Sequence, residues 1–75
     1  MARFALYLET DNGSGYLRDD WGNGFGITNF KVFAKKFPTR GAAQAKGDDL
    51  MNRYPKTPER RFDRYVGYAE VVELD

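Results

Sequence analysis

The residues of this chain best suited to chemistry are few and easily located. Carboxylates pair at Asp19-Asp20 and Asp48-Asp49, an arrangement that can do general acid–base work or hold a hard cation. The glycine-rich stretch Trp21-Gly22-Asn23-Gly24-Phe25-Gly26 invites a phosphate cradle. Basic residues gather at Lys35, Lys36 and Arg40 and again at Arg60, Arg61 and Arg64. What is missing narrows the choice. With no histidine and no cysteine, the chain lacks the usual neutral-pH proton shuttle, a thiol nucleophile, the two commonest zinc ligands and any disulfide framework.

Each group has a plainer reading. Adjacent residues on a strand face opposite ways, so Asp19 and Asp20 would not share a site, and Asp48 falls on the solvent side of the helix argued below. No Ser or Thr has an obvious base beside it. These points argue for a non-enzymatic protein with no cofactor. The glycines lack the G-x-G-x-x-G spacing, and no helix signal follows them directly. They fit a wide hairpin in which glycine permits bulges. The functional version of the same loop leaves Trp21 and Phe25 exposed as anchors for a partner, since a few aromatic residues commonly dominate interface energetics. The second basic cluster interleaves with Phe62 and Tyr65, a mixture that suits single-stranded nucleic acid. Lys and Arg stems also cover apolar surface in any small domain, and that reading weighs more.

The net charge of +1 conceals an uneven distribution: −2 over residues 1–30, +6 over 31–64 and −3 over 65–75. A basic middle between acidic ends can mark an anionic partner. It can also be internal complementation, with acidic strands lying beside a basic helix end.

The elements that must position these groups follow from periodicity. Phe4, Leu6 and Leu8 alternate with Ala5, Tyr7 and Glu9, the period of a strand with one buried face. Asp11-Asn12-Gly13-Ser14-Gly15 is turn-forming, so residues 16–20 are expected to return as an antiparallel partner. Thr28 to Ala34 has strand composition, with Phe30, Val32 and Ala34 on one face. A helix is predicted over 39–54. Thr39 is its N-cap, the stripe Ala43, Gly47, Leu50 and Tyr54 faces the core, Asp49 pairs with Arg53, and Pro55 ends it. Gly47 on the buried stripe implies close approach to the sheet. Residues 64–74 carry apolar side chains on both faces, which suggests a central strand.

The sequence thus predicts one α+β domain over 1–75. It comprises an antiparallel sheet of three or four strands with one amphipathic helix on one face, in the order β, β, (β), α, β. The expected core is Phe4, Leu6, Leu8, Phe30, Val32, Ala43, Leu50, Tyr54 and Val71 or Val72. At this length the core is marginal, and the twelve Phe, Tyr and Trp residues or a second copy of the chain must supply buried area. The patterned start leaves no room for a signal peptide, the longest apolar runs are too short to span a bilayer, and the expected setting is cytoplasmic.

Phe33-Ala34-Lys35-Lys36-Phe37-Pro38-Thr39-Arg40-Gly41-Ala42-Ala43, followed by Leu50-Met51 and Tyr54-Pro55, resembles short phage-encoded accessory proteins. Those commonly set an amphipathic helix opening with Thr or Ser between short antiparallel strands. Some inhibit bacterial defence complexes, the anti-CRISPR proteins among them. The resemblance implies a small inhibitor, monomeric or homodimeric, that occupies the surface of a larger protein or ribonucleoprotein assembly and has no membrane attachment. The resemblance assigns no contact residues; the glycine loop and the basic clusters themselves place the expected contacts among Trp21, Phe25, Lys35, Lys36, Arg40, Arg60, Arg61 and Arg64. The rival function is direct binding of nucleic acid through the two basic clusters.

Overall fold

The computed structural model describes residues 3–21, 24–56 and 65–74. Phe4–Thr10 forms β1, Gly13–Trp21 β2, Gly24–Thr28 β3, Arg40–Arg53 α1 and Val66–Glu73 β4, with a short 3-10 turn at Lys31–Phe33. The strands build one antiparallel sheet in the order β3-β2-β1-β4, and α1 packs on one face of it. This is the predicted α+β architecture.

Alternation in β1 buries Phe4, Leu6 and Leu8 toward the helix. Thr10 closes the β1–β2 turn, donating from Oγ1 to the Gly13 carbonyl at 2.8 Å and accepting from the Asn12 N–H at 3.1 Å. Residues 16–20 do form the returning strand. β4 does not lie in the middle of the sheet. β1 and β2 are the inner strands and β4 is an edge, with Leu6 opposite Val71 and Leu8 opposite Ala69. The second apolar face of β4 carries Val72, half-buried beside the fully buried Ala5.

Two bulges reset the alternation. On β2, Leu17 faces Ile27 and Asp19 faces Gly26, so Arg18 is the extra residue. Leu17 and Asp20, three positions apart, consequently both point to α1. On β4, Glu9 faces Tyr68 and Thr10 faces Val66, so Gly67 is the extra residue.

The helix begins as predicted, with the Thr39 hydroxyl accepting from the Ala42 N–H at 3.0 Å, and its buried residues are Ala43, Gly47 and Leu50. A Cβ at Gly47 would lie 3.2 Å from the Ala69 Cβ and 3.3 Å from a Leu6 methyl. The close approach expected from the sequence is therefore present. Gly47→Ala gains helix propensity of about 1 kcal/mol but requires Ala69 and Leu6 to yield slightly in a packed layer, and overpacking costs typically 1–3 kcal/mol. A net loss of stability is expected by thermal unfolding, and a gain would show that the helix has room to spare.

The predicted strand over Thr28–Ala34 is absent. β3 stops at Thr28, whose hydroxyl accepts from the Phe30 N–H at 3.2 Å, a local bond that competes with the ladder. Phe30 and Val32 are exposed, and only Ala34 of that expected face is buried. The glycine-rich stretch belongs to a bulged hairpin, as expected: Trp21 pairs with Gly24, and the extra residue Arg18 lies opposite the Gly26–Ile27 step. The exposed Phe25 of the alternative reading is not found, since Phe25 and Ile27 face the core between half-buried glycines. Phe25 is 2% exposed and meets Tyr54 edge-to-face at 5.1 Å; burying an aromatic ring outweighs the propensity cost of its glycine neighbours. Leu17, Phe37 and Val66 complete the buried cluster. Tyr54 and Val71 are half-buried against it.

Candidate partner-binding site

After β3 the chain crosses to the other flank of β2 and enters the sheet. The Lys35 N–H donates to the Leu17 carbonyl at 2.8 Å, and Phe37 exchanges backbone hydrogen bonds with Phe4 at 2.8 and 3.0 Å. Phe4 already faces Glu73 of β4 on its other side, so Phe37 takes the place beside β1 that β2 holds farther along. Buried Ala34 and Phe37 pin this strap.

Between its two anchored ends the strap makes a protruding knuckle. The Phe33 N–H donates to the Phe30 carbonyl and the Ala34 N–H to the Lys31 carbonyl, both at 3.1 Å. This tight turn pushes Phe30, Val32 and Phe33 outward, with exposures of 63%, 71% and 57%. The two phenyl rings hold each other edge-to-face at 6.0 Å, and the Arg18 guanidinium lies 5.9 Å from the Phe33 ring centre. Exposed Lys31, Lys35 and Lys36 surround the knuckle. It is an apolar tip in a basic collar, held by backbone bonds.

The structure redistributes the residues expected to make contacts. Phe25 is core and cannot anchor a partner. Lys35 is exposed on the strap, whereas Lys36 Nζ donates to the carbonyls of Val32 and Ala34 at 3.2 and 3.4 Å. Arg40 opens α1 with its guanidinium 5.2 Å from the Phe4 ring centre. Trp21 ends β2 opposite Gly24, and its side chain lies outside the described residues, as do Arg60, Arg61 and Arg64. The knuckle residues Phe30, Val32, Phe33, Lys31 and Arg18 were not among the expected contacts. The available signal was the density of apolar residues in 30–37, which places side chains on both faces of any strand drawn through it.

The carboxylate pairs do not converge. Asp19 is exposed beside Arg18 at 3.6 Å, while Asp20 turns inward to Lys46 Nζ at 2.7 Å and Arg53 Nη2 at 2.9 Å. Asp49 joins the same cations at 3.8 and 3.3 Å, and Asp48 accepts from Gln44 on the helix surface. Burial alone would raise the Asp20 carboxyl; the hydrogen bonds and positive charge of Lys46 and Arg53 outweigh it and hold the group below its ordinary value. The reciprocal contact raises Arg53, with the Asp20 hydrogen bond as the main cause. This clamp ties α1 to β2. Among the described residues no group of three or more carboxylates is placed to hold a metal ion, and no helix is long and apolar enough to cross a membrane.

Comparison with protein-family models, with curated proteins and with solved structures finds no match.

Proposed function

We propose that this chain is a non-enzymatic binding protein that seats the Phe30–Val32–Phe33 knuckle in an apolar cleft of a larger protein or ribonucleoprotein assembly. It acts by occupying that surface. The observation that carries the reading is the exposure of three large apolar side chains on a turn held by four hydrogen bonds. Burying such a tip gains apolar area, and a rigid backbone reduces the ordering cost of binding. The basic collar favours a cleft rimmed by carboxylates and speeds encounter with it. The resemblance to phage-encoded accessory proteins supports a bacterial defence complex as the partner class, with the chain as its inhibitor.

Direct nucleic-acid binding is less favoured. The described basic residues rim an apolar tip, and the most exposed of its large side chains, Val32, offers no ring on which a base can stack.

The test compares wild type with the double variant Phe30→Ser/Phe33→Ser. Loss of two anchors is expected to weaken binding to a purified target complex by at least about 2 kcal/mol, or some thirtyfold. The melting temperature should hardly move, because both rings are exposed. Full retention of binding by this variant, with loss in Trp21→Ala, would return the contact to the glycine hairpin. Retention of RNA or DNA by wild type in low salt, with a steep salt dependence, would favour the nucleic-acid function instead.

A further inference from the structure

Outside the knuckle, Tyr68 is the one large apolar side chain that stands exposed among the described residues. It lines a cleft of about 370 Å³ together with Glu9, Ser14, Lys56, Tyr65 and Gly67. The cleft lies where the β1–β2 turn meets the start of β4, and its existence follows from the bulge. Inserting Gly67 sets the beginning of β4 out of step with β1. The wall is then fixed from the turn, since Asp11 Oδ1 accepts from the Tyr65 N–H at 3.2 Å across 54 residues of sequence. Lys56 lies across the bulge. A Cβ at position 67 would stand 3.3 Å from the Lys56 Cδ, so glycine leaves room for the lysine stem. Its ammonium sits 5.3 Å from the Tyr65 ring centre.

These groups have complementary chemistries. An exposed tyrosine ring can stack on a flat heterocycle. A lysine ammonium is a point charge for a phosphate. A carboxylate beside them can accept from a pair of sugar hydroxyls, as acidic residues do for ribose elsewhere. The volume falls at the small end of the range for small-molecule sites, which suits a single nucleotide.

We propose that this cleft binds a nucleoside phosphate, with the base on Tyr68, the phosphate at Lys56 and the ribose hydroxyls at Glu9. The ligand is either a free nucleotide or the terminal nucleotide of a single strand. The site is separate from the knuckle and stands without it.

The experiment is a titration of the isotopically labelled full chain, followed by backbone amide shifts, with adenosine 5′-monophosphate, adenosine, ribose 5-phosphate and a five-nucleotide oligoadenylate. The monophosphate is expected to shift the amides of Gly13, Ser14, Gly67 and Tyr68 saturably, with a Kd below about 1 mM. Adenosine and ribose 5-phosphate should each bind at least about tenfold more weakly, because each lacks one of the two anchoring groups. Lys56→Gln, Glu9→Gln and Tyr68→Ala should each weaken binding while leaving the remaining amide spectrum in place, since all three side chains are exposed. Tighter binding of the oligoadenylate than of the monophosphate identifies a strand end as the ligand, and the reverse identifies the free nucleotide. The proposal is overturned if the monophosphate gives no saturable shift at these amides. It is equally overturned if ribose 5-phosphate binds as tightly, which would make the cleft a seat for anions alone.

Discussion

Leu50→Ala is expected to lower the stability of the fold by about 2–5 kcal/mol, a large fraction of the roughly 5–15 kcal/mol that holds a small domain together. The expectation rests on how little else attaches the helix. Of the three residues that α1 buries, Ala43 and Gly47 are small, and they serve to bring the helix close to Leu6 and Ala69. Leu50 is the only large side chain of these three and is fully buried, with Met51 and Tyr54 only partly buried against the same cluster. Truncating Leu50 leaves a cavity that Ala43 and Gly47 cannot fill. At about 4–8 °C per kcal/mol for a domain of this size, the melting temperature should fall by at least about 8 °C. Urea unfolding should show a lower midpoint at unchanged slope. A change near zero would mean that α1 docks through another face.

Asp20→Ala is expected to cost about 2–3 kcal/mol, from the loss of charge-assisted bonds in a half-buried setting. The carboxylate is 14% exposed and bonds two cations that stand about two turns apart on α1, so its removal leaves both without their shared partner on β2. Asp49 remains beside them but is largely in solvent. The clamp also predicts a pH dependence. Because the folded-state pKa of Asp20 is held below its ordinary value of 3.8, the clamp contributes fully above that value. Its contribution is lost as pH falls through the lower, folded-state pKa. Wild type should therefore lose stability in acid below that value, and Asp20→Asn should start lower and decline less. Parallel acid profiles for the two proteins would show that Asp20 is not a principal acid-sensitive group.

The pattern of buried side chains made much of this fold legible in advance. β1 and α1 were readable because alternation in Phe4, Leu6 and Leu8 and the spacing of Ala43, Gly47 and Leu50 are local properties of the chain. The Thr39 cap and the Asp49–Arg53 pair were readable for the same reason. What escaped depends on partners distant in sequence. Phe30 and Val32 look like strand residues until it is known that β3 stops at Thr28 and that the chain next meets the sheet at Lys35, whose N–H donates to the Leu17 carbonyl. Phe25 looks exposed among glycines until Tyr54 arrives from the end of α1. Asp20 is acidic and adjacent to Asp19, and only the extra residue at Arg18 explains why it turns toward Lys46 and Arg53. The knuckle was hidden behind the same error, since reading 28–34 as a strand buried the two residues that the fold exposes most.

The inner position of β1 has a kinetic consequence. Its partner on one side, β2, follows after a two-residue turn, whereas its partner on the other side comes from the far end of the chain, with Phe4 opposite Glu73. A hairpin of this kind can close in about 1–10 μs. Pairing ends so distant in sequence must first overcome the entropy of a long loop, and topologies dominated by such pairs fold in roughly milliseconds to seconds. Through that interval the second edge of β1 is open, with Leu6 and Leu8 waiting for β4 and the helix. A nascent or thermally opened molecule is then most prone to pair with another chain along this one strand, and its aggregation should track the lifetime of the half-built sheet more closely than the stability of the finished one.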